Sequence, residues 1–131
     1  MDNPNSKSLL IESLQIQQPT QSVLELSGSL HSPSAQKDFD RFLDETHRAI
    51  VAAKLETFTI DVRGLSLVSS SAIRLFVTWI SRAEAARYRL VFWVDRTITW
   101  HRLSFSVLQS LAPGTVDVVD RSARAADSTP P

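Results

Sequence analysis

The chain has 131 residues, of which 43% are hydrophobic and 21% are charged, and its fourteen basic and fourteen acidic residues cancel. This composition is typical of one globular domain, and the zero net charge provides no global field that would attract nucleic acid or an anionic membrane. The absence of cysteine excludes disulfides, thiol catalysis and thiolate metal sites.

The two ends of the chain are polar. Residues 1–8 are rich in asparagine and serine, and residues 121–131 lack large apolar side chains and finish in two prolines. We therefore expect a flexible N-terminus, a domain over residues 9–120 and a disordered C-terminal tail. No stretch has the apolar length of a signal peptide or a membrane span, which predicts a cytoplasmic protein with no direct membrane insertion.

The first half of the domain alternates between strand and helix patterns. Period-two alternation over residues 9–17 and 23–30 predicts two strands, and the proline-containing run at 18–21 predicts a turn that joins them as a hairpin. A helix is expected from the serines and proline at 32–34 to about Lys54. Its apolar face comprises Phe39, Phe42, Leu43, Thr46, Ile50 and Ala53.

The second half repeats this alternation. Residues 57–62 are β-branched and aromatic and predict a strand, and an apolar helix follows to about Arg87. The continuous apolar run at 90–94 is typical of a strand covered on both faces. Thr97 is expected to cap a helix over 98–111, and residues 115–119 form a last strand. The helix over 98–111 places near one face Trp100, Leu103, Val107 and Leu111. The order β-β-α-β-α-β-α-β predicts an α/β fold with a mixed sheet flanked by helices.

Three consecutive serines, Ser69, Ser70 and Ser71, open the second helix. One serine suffices as a helix cap, and Ser69 is the natural one. The others place hydroxyl groups at the positive end of the helix dipole, where a phosphate is stabilised. The cluster is therefore a candidate phosphorylation switch.

The run from Asp61 to Ile73 resembles the signature of STAS domains, the family of bacterial anti-sigma-factor antagonists. An aspartate at the end of a strand, an apolar pair and a serine cluster before an apolar residue occur in the same order. In that resemblance Ser70 matches the serine that a partner kinase phosphorylates. Ser69 stands where the family usually has aspartate, and Ala72 stands where it usually has glycine. The order of elements fits from about residue 9 to residue 119.

The resemblance implies a single-domain STAS-like fold and a regulatory role in signal transduction and transcription. The dephosphorylated protein would bind an anti-sigma factor or signalling serine kinase, and phosphate on Ser70 would break the complex. Ser69 and Ser71 are alternative phosphorylation sites, and a phosphatase would reset the switch. The expected partner-binding residues are Ser69, Ser70, Ile73, Arg74 and Val77.

Two further residues are expected to support the segment before the serines. Asp61 ends the strand, so its carboxylate can brace the following loop by accepting backbone N–H groups, and Gly64 lies in that loop.

The second helix has an apolar arc wider than a helix lying on a sheet requires. Part of this arc either faces a partner protein or is buried beneath the first helix. Arg74 either meets a phosphate or an acidic partner, or is an ordinary solvated charge.

Other functions are weaker fits to the sequence. The alternative to a phosphorylation switch is a constitutive, non-phosphorylated STAS-like interaction subunit of a signalling or lipid-transport assembly, which the departures at Ser69 and Ala72 favour. The three histidines lie in separate elements and suggest neither a hydrolase triad nor a metal site, and the three glycines form no nucleotide-binding motif. We therefore expect no catalytic activity and no cofactor. A homodimer is permitted by the sequence and is not required by it.

Overall fold

The computed structural model describes residues 7–121, so the predictions for residues 1–6 and 122–131 lie outside the described part of the chain. Its strands are Lys7–Ile11 (β1), Leu14–Thr20 (β2), Val23–Leu30 (β3), Thr57–Val68 (β4), Arg89–Val94 (β5) and Val116–Asp120 (β6). Its helices are Pro33–Ala53 (α1), Ser70–Ala86 (α2) and Thr99–Leu111 (α3). The predicted α/β fold is confirmed.

The six strands form one mixed sheet in the order of the sequence. β1, β2 and β3 are antiparallel neighbours, and β3, β4, β5 and β6 are parallel neighbours. Each parallel connection contains one helix, and right-handed crossovers that always advance in the same direction place their helices on the same face of the sheet. All three helices accordingly share one hydrophobic core on that face.

Phe76 of α2 lies at the centre of this core. Its ring contacts Phe39 of α1, Phe92 of β5 and Phe105 of α3, with centroid distances of 5.9, 5.8 and 6.1 Å. All four rings are completely buried, and their edge-to-face contacts add to the gain from removing apolar surface from water. One residue thus fixes the relative positions of α1, α2 and α3.

The N-terminal region differs from its prediction. The single strand expected over 9–17 is two strands, because the chain turns at Glu12 and Ser13, and the run expected as a turn at 18–21 is largely strand. Glu12 has a φ of 52°, a left-handed conformation that allows this tight turn. Lys7 and Ser8, which were expected in the flexible terminus, belong to β1. The hairpin expected between the first two apolar runs is formed by β2 and β3.

The central strands also differ from their predictions. β5 is not covered on both faces: Leu90, Phe92 and Val94 are buried beneath the helices, whereas Val91 and Trp93 are half-buried on the face that the described helices leave open. The strand expected over 57–62 continues to Val68, so the segment expected as a loop after Asp61 is β-strand.

Candidate partner-binding site

The start of α2 is fixed by the serine that the sequence identifies as its cap. Ser69 has extended backbone angles, and its Oγ accepts a hydrogen bond from the backbone N–H of Ala72 over 3.3 Å. The Ser71 Oγ lies 3.2 Å from the Ser69 Oγ. Since the Ser69 hydroxyl satisfies one of the helix's free N–H groups, the prediction that Ser69 caps the helix is confirmed.

A side chain from α1 reaches the same cap. The Gln36 amide nitrogen donates to the Ser69 Oγ over 3.1 Å and to the carbonyl oxygen of His31 over 3.0 Å. Gln36 lies in the first turn of α1, so its amide joins the N-termini of α1 and α2. Sequence reasoning missed this residue because no local pattern relates positions 33 residues apart.

The turn between β1 and β2 supports the start of α1. The Glu12 carboxylate accepts hydrogen bonds from the hydroxyl groups of Ser32 and Ser34, and Ser32 is itself the N-cap of α1. These hydrogen bonds lower the pKa of the Glu12 carboxyl, that of Ser34 having the larger effect. A negative charge at a helix N-terminus is also favoured by the helix dipole.

Ser70 lies beside an apolar groove between α2 and α3. Unlike Ser69, it is exposed, and its hydroxyl makes no hydrogen bond with the described residues. The groove has a volume of about 430 Å³. Its lining residues are Val68, Ser70, Ile73, Val77, Leu103, Ser104, Val107, Leu108 and Leu111. We refer to this set of residues as the α2–α3 groove.

The wall of the groove on α3 is unusually apolar for an exposed surface. Leu103, Val107 and Leu111 follow one another at a spacing of one helical turn and are 60%, 58% and 59% exposed. The face of α3 that carries these three residues therefore points away from the core. The opposite face packs in the core and carries His101, Phe105 and Leu108. A contiguous exposed apolar stripe of this kind is characteristic of interaction surfaces.

Two aromatic side chains at the start of α3 hold the end of β4. β4 pairs with β5 only as far as Asp61 and Trp93, and beyond this point α3 supplies hydrogen-bond donors to β4. The Trp100 indole N–H donates to the carbonyl of Ser66 over 3.1 Å, and the His101 Nε2 lies 2.9 Å from the carbonyl oxygen of Leu65. These contacts position the last residues of β4, which are followed by Ser69 and then by Ser70.

The protonation state of His101 follows from its partners. Its Nδ1 accepts the backbone N–H of Asp95 over 3.2 Å, so the proton of the neutral ring lies on Nε2 and is donated to Leu65. The side chain is completely buried, and burial lowers its pKa.

The prediction that Thr97 caps α3 is wrong. Ile98 occupies the N-cap position without a side-chain hydrogen bond, and the Thr97 hydroxyl donates to the Asp95 carboxylate.

Asp61 and Gly64 act within β4 and not in a loop. The Asp61 carboxylate accepts the backbone N–H of Arg63 over 3.1 Å, as expected of a brace, and also forms an ion pair of 2.8 Å with that residue's guanidinium group. At Gly64 a side-chain Cβ would lie 2.7 Å from the Cβ of Ser27. Glycine is therefore required where β3 and β4 approach each other, so its predicted role in a loop is corrected.

The other predicted site residues divide into two groups. Ile73 and Val77 of α2 lie in the groove with Ser70, whereas Arg74 is exposed and is not among the lining residues. Of the wide apolar arc, Val77 remains 38% exposed and Phe76, Trp79 and Ile80 are buried. Most of the arc is therefore buried in the core, and Val77 is its exposed part. Ala72 is fully buried, so its methyl group packs in the core.

Two other kinds of feature, a metal site and a membrane-spanning helix, are absent from the described part of the chain. Within residues 7–121, no three or more histidine, aspartate or glutamate side chains come together as a group that would hold a metal ion. None of the helices in this part of the chain is long and apolar enough to cross a membrane.

Comparisons with known proteins give a match in structure alone. No protein-family model matches the chain, and no curated protein matches its sequence. Among solved structures it resembles apo-SiaC from Pseudomonas aeruginosa, with a TM-score of 0.66 and 15% identity over 87% of this chain and 98% of that one.

Two further solved structures share the architecture. An anti-sigma factor antagonist from Mycobacterium paratuberculosis gives a TM-score of 0.55 at 11% identity over 98% of this chain and 97% of that one. The anti-sigma factor antagonist SpoIIAA in its unphosphorylated form gives a TM-score of 0.54 at 14% identity, over 88% of this chain and 96% of that one. The chain therefore has a STAS-like fold, as the serine-containing motif indicates.

Proposed function

We propose that this protein is a non-catalytic regulatory protein that binds a partner protein through the α2–α3 groove and is released when Ser70 is phosphorylated. The observation that carries this proposal is the position of Ser70, an exposed hydroxyl group on the wall of an exposed apolar groove. The similarity to two anti-sigma factor antagonists supports an anti-sigma factor or signalling serine kinase as the partner. The setting is then a bacterial cytoplasm, and a phosphatase restores the binding form.

The physical basis of release is the cost of removing a charge from water. A phosphate on Ser70 adds about −1.5 to −2 charges at pH 7. On the free protein this charge is favoured by the α2 N-terminus and by Arg74, one turn further along the helix. In the complex it would be buried against Ile73, Val77 and Leu103, where no charged side chain lines the groove. Phosphorylation therefore leaves the fold intact and opposes binding.

The two departures from the family motif are compatible with this switch. Ser69 supplies the helix cap that an aspartate would supply, so the start of α2 is fixed without a carboxylate. The Ala72 methyl group is buried in the core and leaves the groove unobstructed. Neither departure therefore requires the alternative function, a constitutive interaction module that is not phosphorylated.

The experiment is affinity purification of the tagged protein from its own cells, with wild type, Ser70→Ala and Ser70→Asp compared in parallel. We expect one protein to be retained in stoichiometric amounts by the wild type and by Ser70→Ala and to be lost from Ser70→Asp. Ser81→Asp is the matched control, because Ser81 is exposed on the same helix and lies outside the groove. It should retain the partner.

Two results would contradict the proposal. Equal retention of the partner by Ser70→Asp and by wild type would rule out the phosphorylation switch and favour the constitutive module. Retention that survives replacement of Leu103 and Val107 by serine would mean that the partner binds elsewhere on the molecule.

A further inference from the structure

A second cavity lies at the opposite end of β4 from Ser70. It has a volume of about 620 Å³, within the range of about 300–1,000 Å³ that small-molecule sites occupy. Phe58 lines it at the start of β4, ten residues before Val68, and strand geometry separates these two residues by on the order of 30 Å. The cavity is therefore distinct from the α2–α3 groove.

The cavity has an apolar interior and two polar walls. The accessible apolar surface of its interior comes from Leu9, which is 44% exposed, and from the half-buried Phe42, whereas Phe58 and Ile50 also line the cavity and are almost completely buried. The wall on the strand side carries Lys7, Ser8, Leu9, Gln18 and Gln21. The wall on α1 carries Glu45, Thr46 and Ala49. This arrangement was not visible in the sequence, because Lys7 and Ser8 were expected in the flexible N-terminus.

Two charged residues line the cavity, one on a strand and one on a helix. Lys7 belongs to β1 and Glu45 to α1, and neither forms an ion pair with another described residue. A ligand that carries both charges would meet a group of opposite sign on the β1 side and on the α1 side, and would place its apolar portion against Leu9 and Phe42.

We propose that this cavity binds a small zwitterion with apolar side chains, of the size of a dipeptide. The ligand's carboxylate pairs with Lys7 and its ammonium group with Glu45, and its side chains contact the apolar interior. The Gln18 amide nitrogen donates to the backbone carbonyl of Gln21 over 3.4 Å, which leaves the Gln18 amide oxygen and the Gln21 amide suited to hydrogen bonds with a peptide group between the two charges. This site operates independently of Ser70.

The test is an NMR titration of the full chain with leucyl-leucine as the probe, followed through backbone amide signals. N-acetyl-leucyl-leucine lacks the ammonium group, and leucyl-leucine amide lacks the carboxylate. We expect saturable shifts of residues lining the cavity with leucyl-leucine at millimolar concentration, and binding weaker by about threefold or more with each of the other compounds.

Variants assign each charge to its wall. Glu45→Gln should abolish the preference for leucyl-leucine over the acetylated compound and should leave the preference over the amide unchanged. Lys7→Gln should have the converse effect, and Ala49→Trp, at the exposed edge, should remove binding. Glu84→Gln, which changes an exposed carboxylate on α2, is the matched control and should bind as the wild type does. The amide spectrum itself reports whether each variant is folded.

The proposal is overturned by the absence of saturable shifts at the cavity, or by equal binding of the three compounds. It is also overturned if Glu45→Gln and Lys7→Gln bind leucyl-leucine as tightly as the control does. None of these results bears on Ser70 or on the α2–α3 groove.

Discussion

Replacing His101 by leucine is expected to destabilise the fold and loosen the segment that leads to Ser70. The substitution removes two hydrogen bonds, from the Asp95 N–H over 3.2 Å and to the Leu65 carbonyl over 2.9 Å. Each contributes about 0.5–1.5 kcal/mol, and an unsatisfied buried carbonyl adds about 1–3 kcal/mol. Since leucine retains the apolar packing, we expect the free energy of unfolding to fall by about 2–6 kcal/mol.

The assay is urea unfolding at pH 8, where the neutral ring predominates. His31→Asn is the matched control, because the His31 side chain is exposed and only its backbone carbonyl bonds to Gln36. We expect it to change the free energy of unfolding by less than about 0.5 kcal/mol. Equal stability of His101→Leu and wild type would refute the conclusion that the ring supports the end of β4.

The same histidine predicts a dependence of stability on pH. Burial lowers the pKa of His101 in the folded state below the value of about 6.5 that it has when unfolded. The unfolded state therefore binds the proton more readily. The stabilisation that the neutral His101 ring provides is fully present above about pH 6.5 and is lost as the pH falls below this value. His47, whose pKa is also lowered by burial, contributes in the same direction. The contribution of His101 is measured by plotting the free energy of unfolding against pH and taking the difference in slope between wild type and His101→Leu.

Three other variants, each with its own measurement, test separate features of the molecule. Tyr88→Phe removes the hydroxyl that accepts the Trp79 N–H over 2.8 Å and lies 2.7 Å from the His47 Nδ1. It should lower the free energy of unfolding by about 1–3 kcal/mol, and an unchanged urea midpoint would contradict this. Gly28→Ala should cost more than about 1 kcal/mol, because Gly28 has a φ of 93° and a Cβ would lie 2.0 Å from the Ser13 carbonyl oxygen. Gly114→Ala, whose Cβ meets nothing within 4 Å, is its control and should melt as the wild type does. Replacing both Leu103 and Val107 by serine should change stability by less than about 1 kcal/mol while abolishing retention of the partner, and a large loss of stability would show that these side chains belong to the core.

The helices were the part of the fold most visible in the sequence. α1 and α2 begin and end within a residue or two of their predicted limits, because serines that cap and apolar residues at helical spacing are local signals. The turn at Glu12 was missed because the residues on either side of it continue the alternation of a strand. The left-handed residue that makes the turn is a glutamate, which carries no turn signal of the kind that glycine or asparagine gives.

The candidate site was visible only in part. The serine cluster indicates Ser70, and helical spacing then gives Ile73 and Val77. The second wall of the groove was not predicted, since Leu103 and Val107 have the periodicity of a core face and only the packing of Phe105 and Leu108 shows that the helix is turned the other way. Gln36, Trp100 and His101 reach the site through contacts across 33 to 36 residues, and no local pattern records such contacts.

The central claim, that Ser70 carries a regulatory phosphate, is tested most directly by mass spectrometry of the protein purified from its own cells under several growth conditions. The account predicts one phosphate on the peptide that contains Ser69, Ser70 and Ser71, assigned by fragmentation to Ser70 and absent from Ser70→Ala. A peptide that carries no phosphate under any of the conditions, or a phosphate that persists in Ser70→Ala, would contradict it.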